Sequence, residues 1–164
     1  MRSVVAHFLR RIGIVLVACY GTWLGFLVTH ELGHVLAAWV SGGRVISLSI
    51  PLLGFSQTIV HPNPHEAFEV WCGPVLGAVL PTIALLIVRS SRRRSPTLLG
   101  LFAGFCLIAN GAYLGIGWIW RSGDAGDLVR LGAPIASLVA FGISCVGAGL
   151  YCWHRTPGLS IRTR

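Results

Sequence analysis

The sequence predicts an all-α polytopic membrane protein of about four transmembrane helices, with a short membrane-associated β-hairpin after the first. Three observations carry that expectation. Only 11% of the residues are charged and 54% are hydrophobic, where a soluble domain carries about 25% charge. The apolar residues gather into four runs, and about 20 helical residues suffice to cross a bilayer core. All 13 basic residues are Arg, and they flank those runs. The 164 residues are expected to form one domain, with a core over about 12–131 and an extra C-terminal helix over about 133–153.

The first run covers about 12–40 and is longer than a span needs, so it must tilt or protrude. Arg2, Arg10 and Arg11 before an apolar stretch resemble a signal peptide. The stretch is too long for a signal core, and a retained helix is expected. Ser41-Gly42-Gly43 supplies its stop. Over 44–62, Val45, Ser47 and Ser49 alternate with Ile46, Leu48 and Ile50. Pro51 to Phe55 reads as a turn, and Ser56 to Val60 as a returning strand. At membrane depth such a hairpin should be shielded by protein.

The second run, about 67–88, opens after Pro64 and Glu66, residues suited to a helix N-terminus, and Glu69 reads as a second such charge. Gly73-Pro74 and Pro81 are expected to kink it. The third run, about 97–120, ends in Trp118 and Trp120. The fourth, about 133–153, ends in Tyr151 and Trp153. These aromatics read as interfacial anchors. Gly73 with Gly77, and Gly100 with Gly104, have the spacing of close helix packing.

With four spans, the N-terminus, second loop and tail share one side and hold 10 of the arginines, against 3 on the other. The positive-inside rule then puts both termini in the cytoplasm. The arginines suit anionic lipid headgroups. They do not interleave with aromatics, so no nucleic-acid partner is expected. Five scattered cysteines without a CxxC pair read as small buried hydrophobes.

The first run contains His30-Glu31-Leu32-Gly33-His34. On a helix the two histidines lie one turn apart on the same face, where two imidazoles can grip one zinc ion. Glu31 beside them can take the proton of an attacking water. A charged residue near the centre of a span costs roughly 2.5–3.5 kcal/mol, so such groups mark function. A catalytic zinc needs a third protein ligand. Asp124 and Asp127 lie in the third loop, which the count of spans puts on the same side as the end of the first run. Both can therefore reach the histidines, or else pair with Arg121 or Arg130 as solvated loop residues. His61 and His65 share that side and are weaker candidates. His7 and His154 lie toward the opposite face. Asn110 stands within the third span and has two open roles, bonding between helices or donating to a developing oxyanion.

The order HELGHVLAAWVSGGRV, hairpin, WCGPVLGAVLP, Asn-bearing span and GDAGDLVRL resembles the site-2 protease family of intramembrane zinc metallopeptidases, and is closest to its small bacterial branch. The likeness covers roughly residues 20–131. It implies a bacterial inner-membrane location and zinc held by His30, His34 and an aspartate, with Asp124 first and Asp127 second choice. Glu31 would be the general base, and the substrate a transmembrane protein. The family's Asn-x-x-Pro is Asn110-Gly111 without the proline here, and Asp124 is followed by Ala125 instead of Gly. The resemblance also implies a site open to the cytosol, whereas the arginine count turns it outward. The alternative reading is an inactive relative that binds or regulates partner helices. A metal transporter has too few acids to line a path.

Overall fold

The computed structural model describes residues 2–90 and 97–156. The Arg92-Arg93-Arg94 loop and the tail arginines 162 and 164 lie outside them. The architecture is a helical membrane bundle with one small hairpin. Its elements are α1 (Arg2–Ser41), β1 (Val45–Ser49), β2 (Gln57–Val60), α2 (Glu66–Ser90), α3 (Thr97–Gly117), α4 (Gly123–Arg130) and α5 (Ile135–His154). Four of the helices are long and apolar enough to cross a membrane.

Helix α1 starts ten residues before the apolar run does. Arg10 and Arg11 are good helix formers, and nothing upstream breaks the period. At 1.5 Å per residue its 40 residues reach about 60 Å. Residues 5–21 are exposed all round, and burial begins at Phe26, so the histidine half of the helix is the half that packs.

Helix α2 presents a buried stripe of Glu69, Val70, Gly73, Pro74, Gly77, Ala78, Pro81 and Leu85, which repeats at three and four residues. The helix continues through both prolines. Neighbouring helices make this tolerable in a span. It packs against both α1 and α3.

Helix α5 covers the other side of α3 through glycines. A Cβ on Gly142 would come within 2.7 Å of Gly115 Cα and 2.9 Å of the Gly111 carbonyl. Without a hydrophobic drive in lipid, such backbone approach is what holds spans together. Gly142→Ala is expected to destabilise the protein by about 1–3 kcal/mol, read as a lower unfolding midpoint in detergent.

The hairpin pairs antiparallel, with Leu48 opposite Thr58 and Ser49 opposite Gln57, and an irregularity between Val45 and Ser47. It folds back along α1: the Tyr20 hydroxyl donates to the Leu52 carbonyl at 2.9 Å. The shielding expected from sequence is only partial. Ile46, Leu48, Leu52, Leu53 and Phe55 are exposed; among the described residues the hairpin's main helix contact is with α1.

The end of the third span also differs from expectation. Helix α3 stops at Gly117, and a tight turn follows in which Arg121 has a φ of 49°. The segment after it is a helix, α4, and not a loop. Its Ala125 and Leu128 join Val70, Leu114 and Leu138 in a core cluster. Eight residues are too short to hold a helix alone; this packing supplies the support. Trp118 packs on the same cluster, while Trp120 is exposed.

Candidate metal centre

The two histidines face α2 where the helices touch most closely. A Cβ on Gly33 would overlap the Cys72 carbonyl, and one on Gly73 would overlap the His34 ring at Nε2. Gly77 lies against His30 Cα and the Asn110 amide. The glycines expected to serve packing therefore also form the floor of the centre. Helix α4 brings the third group. Its N-cap residue, Ser122, makes no side-chain cap. The Tyr113 hydroxyl, 3.0 Å away, accepts the Asp124 backbone N–H, and the Tyr113 ring packs edge-on against His30.

Three atoms converge. His30 Nε2 lies 2.9 Å from Asp124 Oδ2, His34 Nε2 lies 3.5 Å from the same oxygen, and the two nitrogens are 3.3 Å apart. Tetrahedral zinc with bonds of about 2.0–2.1 Å separates its ligands by about 3.3–3.4 Å, so this triangle has the right size. The other ring nitrogens are already engaged. His30 Nδ1 is 2.8 Å from Asn110 Oδ1, and His34 Nδ1 is 2.8 Å from Glu69 Oε1. Both partners are acceptors, because the Asn110 amide nitrogen donates to the Cys106 carbonyl. Each Nδ1 therefore carries the proton, and each Nε2 lone pair points to the centre. Asp124 Oδ2 is buried and without a hydrogen bond. Two lone pairs and an unsatisfied carboxylate oxygen facing one another are what a cation would satisfy.

The other residues singled out from sequence fall around this centre. Glu31 is buried, one residue from His30, and its Oε2 accepts a 2.5 Å hydrogen bond from Thr58 of β2. Asp127 is outside the triangle; it pairs at 3.2 Å with Arg130, which also reaches Glu66. That is the solvated pairing weighed for the aspartates, realised for one and not for the other. His61 and His65 are exposed and outside the cluster, as are His7 and His154. Asn110 is fully buried and spans from α3 to α1. Its contacts, to His30 of α1 and to the Cys106 carbonyl of its own helix, are those of an interhelical bond. Glu69 departs most from the sequence reading. It is buried against His34, and is more than a charge at a helix end. A sequence signal existed, since Glu69 falls on the buried i, i+4 row with Gly73 and Gly77.

The centre opens on a cavity of about 1080 Å³. Helix residues including Phe26, His34 and Asp124 form one wall, and Phe55 to Asn63 of the hairpin form the other. Fold and site together define a multi-pass membrane protein with a His–His–Asp centre able to hold a metal ion. No protein-family model, curated protein or solved structure matches the chain.

Proposed function

We propose that this protein is an intramembrane zinc metallopeptidase of the site-2 protease kind, hydrolysing peptide bonds of membrane-embedded or membrane-adjacent proteins. The observation that carries the reading is the convergence of His30, His34 and Asp124 beside Glu31 on one wall of a cavity. Two nitrogens and one carboxylate oxygen suit zinc by donor type. Zinc, when bound, supplies Lewis acidity that polarises a carbonyl and acidifies water.

The chain's own groups do the rest. Glu31 takes the proton from the attacking water and passes it to the leaving amine. Thr58 holds Glu31 by Oε2, which fixes the carboxylate and leaves Oε1 for the water. Asn110 keeps His30 from turning. Phe26 and Leu27 of α1 give the cavity an apolar wall that limits bulk water. The cavity is at the upper end of the usual ligand-site range of about 300–1,000 Å³. An extended peptide presents its carbonyls to such a site, whereas a helical one hides them and must unwind first.

Glu31→Gln tests the reading. With zinc content held at the wild-type level, hydrolysis of a fluorescently labelled casein in detergent is expected to fall by about 10²–10⁴-fold. Hydrolysis that survives the substitution would overturn the assignment.

A further inference from the structure

We propose that Glu69 is the anion that aims His34 at the metal. Asn63 holds Glu69 in place, so the centre is tied to the loop between the hairpin and α2. The inference rests on the metal reading of the centre and not on peptidase activity.

Glu69 is a carboxylate turned into the packed face of its helix. It lies on the buried stripe of α2 and is 5% exposed. Among the described residues no arginine contacts it, since Arg130 engages Glu66 and Asp127 instead. Its partners are His34 and Asn63. Oε1 lies 2.8 Å from His34 Nδ1, and the Glu69 carbonyl lies 3.2 Å from the same nitrogen. Oε2 accepts from Asn63 Nδ2 at 3.2 Å.

One residue thus grips the His34 ring N–H with both side chain and backbone. That fixes the tautomer and the ring plane. It also leaves Glu69 on the Nδ1 side of the ring, away from the converging Nε2 atoms, so it acts through His34 and is not itself a ligand. Carboxylates behind metal-binding histidines orient the ring and raise its basicity.

The two histidines are served unequally. His30 has the neutral Asn110 amide behind it, while His34 has a carboxylate. His34 is therefore the stronger donor and the more dependent on its partner. Asn63 sits between Pro62 and Pro64, where the backbone has little freedom. Its Oδ1 is buried and unpartnered, so its amide is oriented by the contact with Glu69. A bland alternative is that Glu69 only serves the α2 N-terminus. Glu66 occupies the same turn but is only half-buried and pairs with Arg130, so it isolates that contribution.

The test is zinc affinity of the full-length protein in detergent, by competition with a chromophoric chelator, together with the visible spectrum of the Co²⁺ form. Glu69→Ala is expected to weaken zinc by about 10–100-fold and to shift the Co²⁺ bands. Glu69→Gln should fall in between, because an amide oxygen still accepts the His34 N–H but carries no charge. It also serves if the alanine variant does not fold. Asn63→Ala should cost several-fold, by the weaker hold on Glu69. Glu66→Gln should leave affinity and spectrum unchanged. Wild-type affinity in Glu69→Ala and Glu69→Gln would overturn the proposal, and so would equal losses in Glu66→Gln and Glu69→Gln. A wild-type protein that takes up no zinc would remove the metal reading and this inference with it.

Discussion

Asp124→Ala is expected to leave the purified protein without zinc, while Asp127→Ala retains about one ion per chain. The reason is geometric. Asp124 Oδ2 stands 2.9 Å and 3.5 Å from the two imidazole nitrogens and has no hydrogen bond. Asp127 points to Arg130. Removing a group behind a ligand costs about 10–100-fold in affinity, and removing one of three protein ligands must cost more. Elemental analysis after dialysis reads both variants. Zinc retained in Asp124→Ala and lost in Asp127→Ala would move the third ligand by most of a helical turn and would require α4 to be rotated.

Gly73→Ala is expected to abolish metal binding with the helices still formed. The added carbon would occupy the space of His34 Nε2. His34 cannot swing aside without breaking its Nδ1 contact with Glu69. Nor can the two backbones separate cheaply, because Gly33 packs against the Cys72 carbonyl and Gly73 Cα at the same crossing. Overpacking of this kind costs about 1–3 kcal/mol. Gly147→Ala is the matched control. Nothing lies within 4 Å of its Cβ position, and alanine is the better helix former by about 1 kcal/mol. Zinc content and helical ellipticity of the two variants give the answer; normal zinc in Gly73→Ala would mean that the helices cross more loosely than the structure has them.

Both predictions concern residues whose chemistry is legible in the chain to different degrees. His30, Glu31 and His34 stand out because they interrupt an apolar run, and a helix puts residues four apart on one face whatever surrounds it. Gly73 could be read as a packing residue but not as the seat of an imidazole, since that depends on which part of α1 crosses α2. Asn110 was legible as an intramembrane polar group with two possible roles, and the structure sets its amide oxygen against His30 Nδ1. Glu69 looked like a helix-end charge because it lies three residues after Glu66 in the first turn. Only the rotation of α2 turns one of these acids inward and leaves the other out.

The third loop makes the same point. SGDAGDL carries turn residues and two acids, which reads as a solvated connection. In the structure Ala125 and Leu128 find Val70, Leu114 and Leu138 to pack on, and the segment becomes a helix. Its formation then selects Asp124, because the Tyr113 hydroxyl takes the Asp124 N–H at the helix start and the next turn faces Arg130.

The sequence by itself determined the four spans, the hairpin between the first two, and the pair of histidines with their neighbouring glutamate. Each is a property of composition or of spacing along one element, and the backbone period alone reads it. Which aspartate lies against the histidines, what Asn110 touches and the pairing of Glu69 with His34 depend on the tertiary structure. They depend on how α1, α2, α3 and α4 are rotated against one another, and that rotation is set by close glycine contacts and a shared apolar cluster spread over the whole bundle.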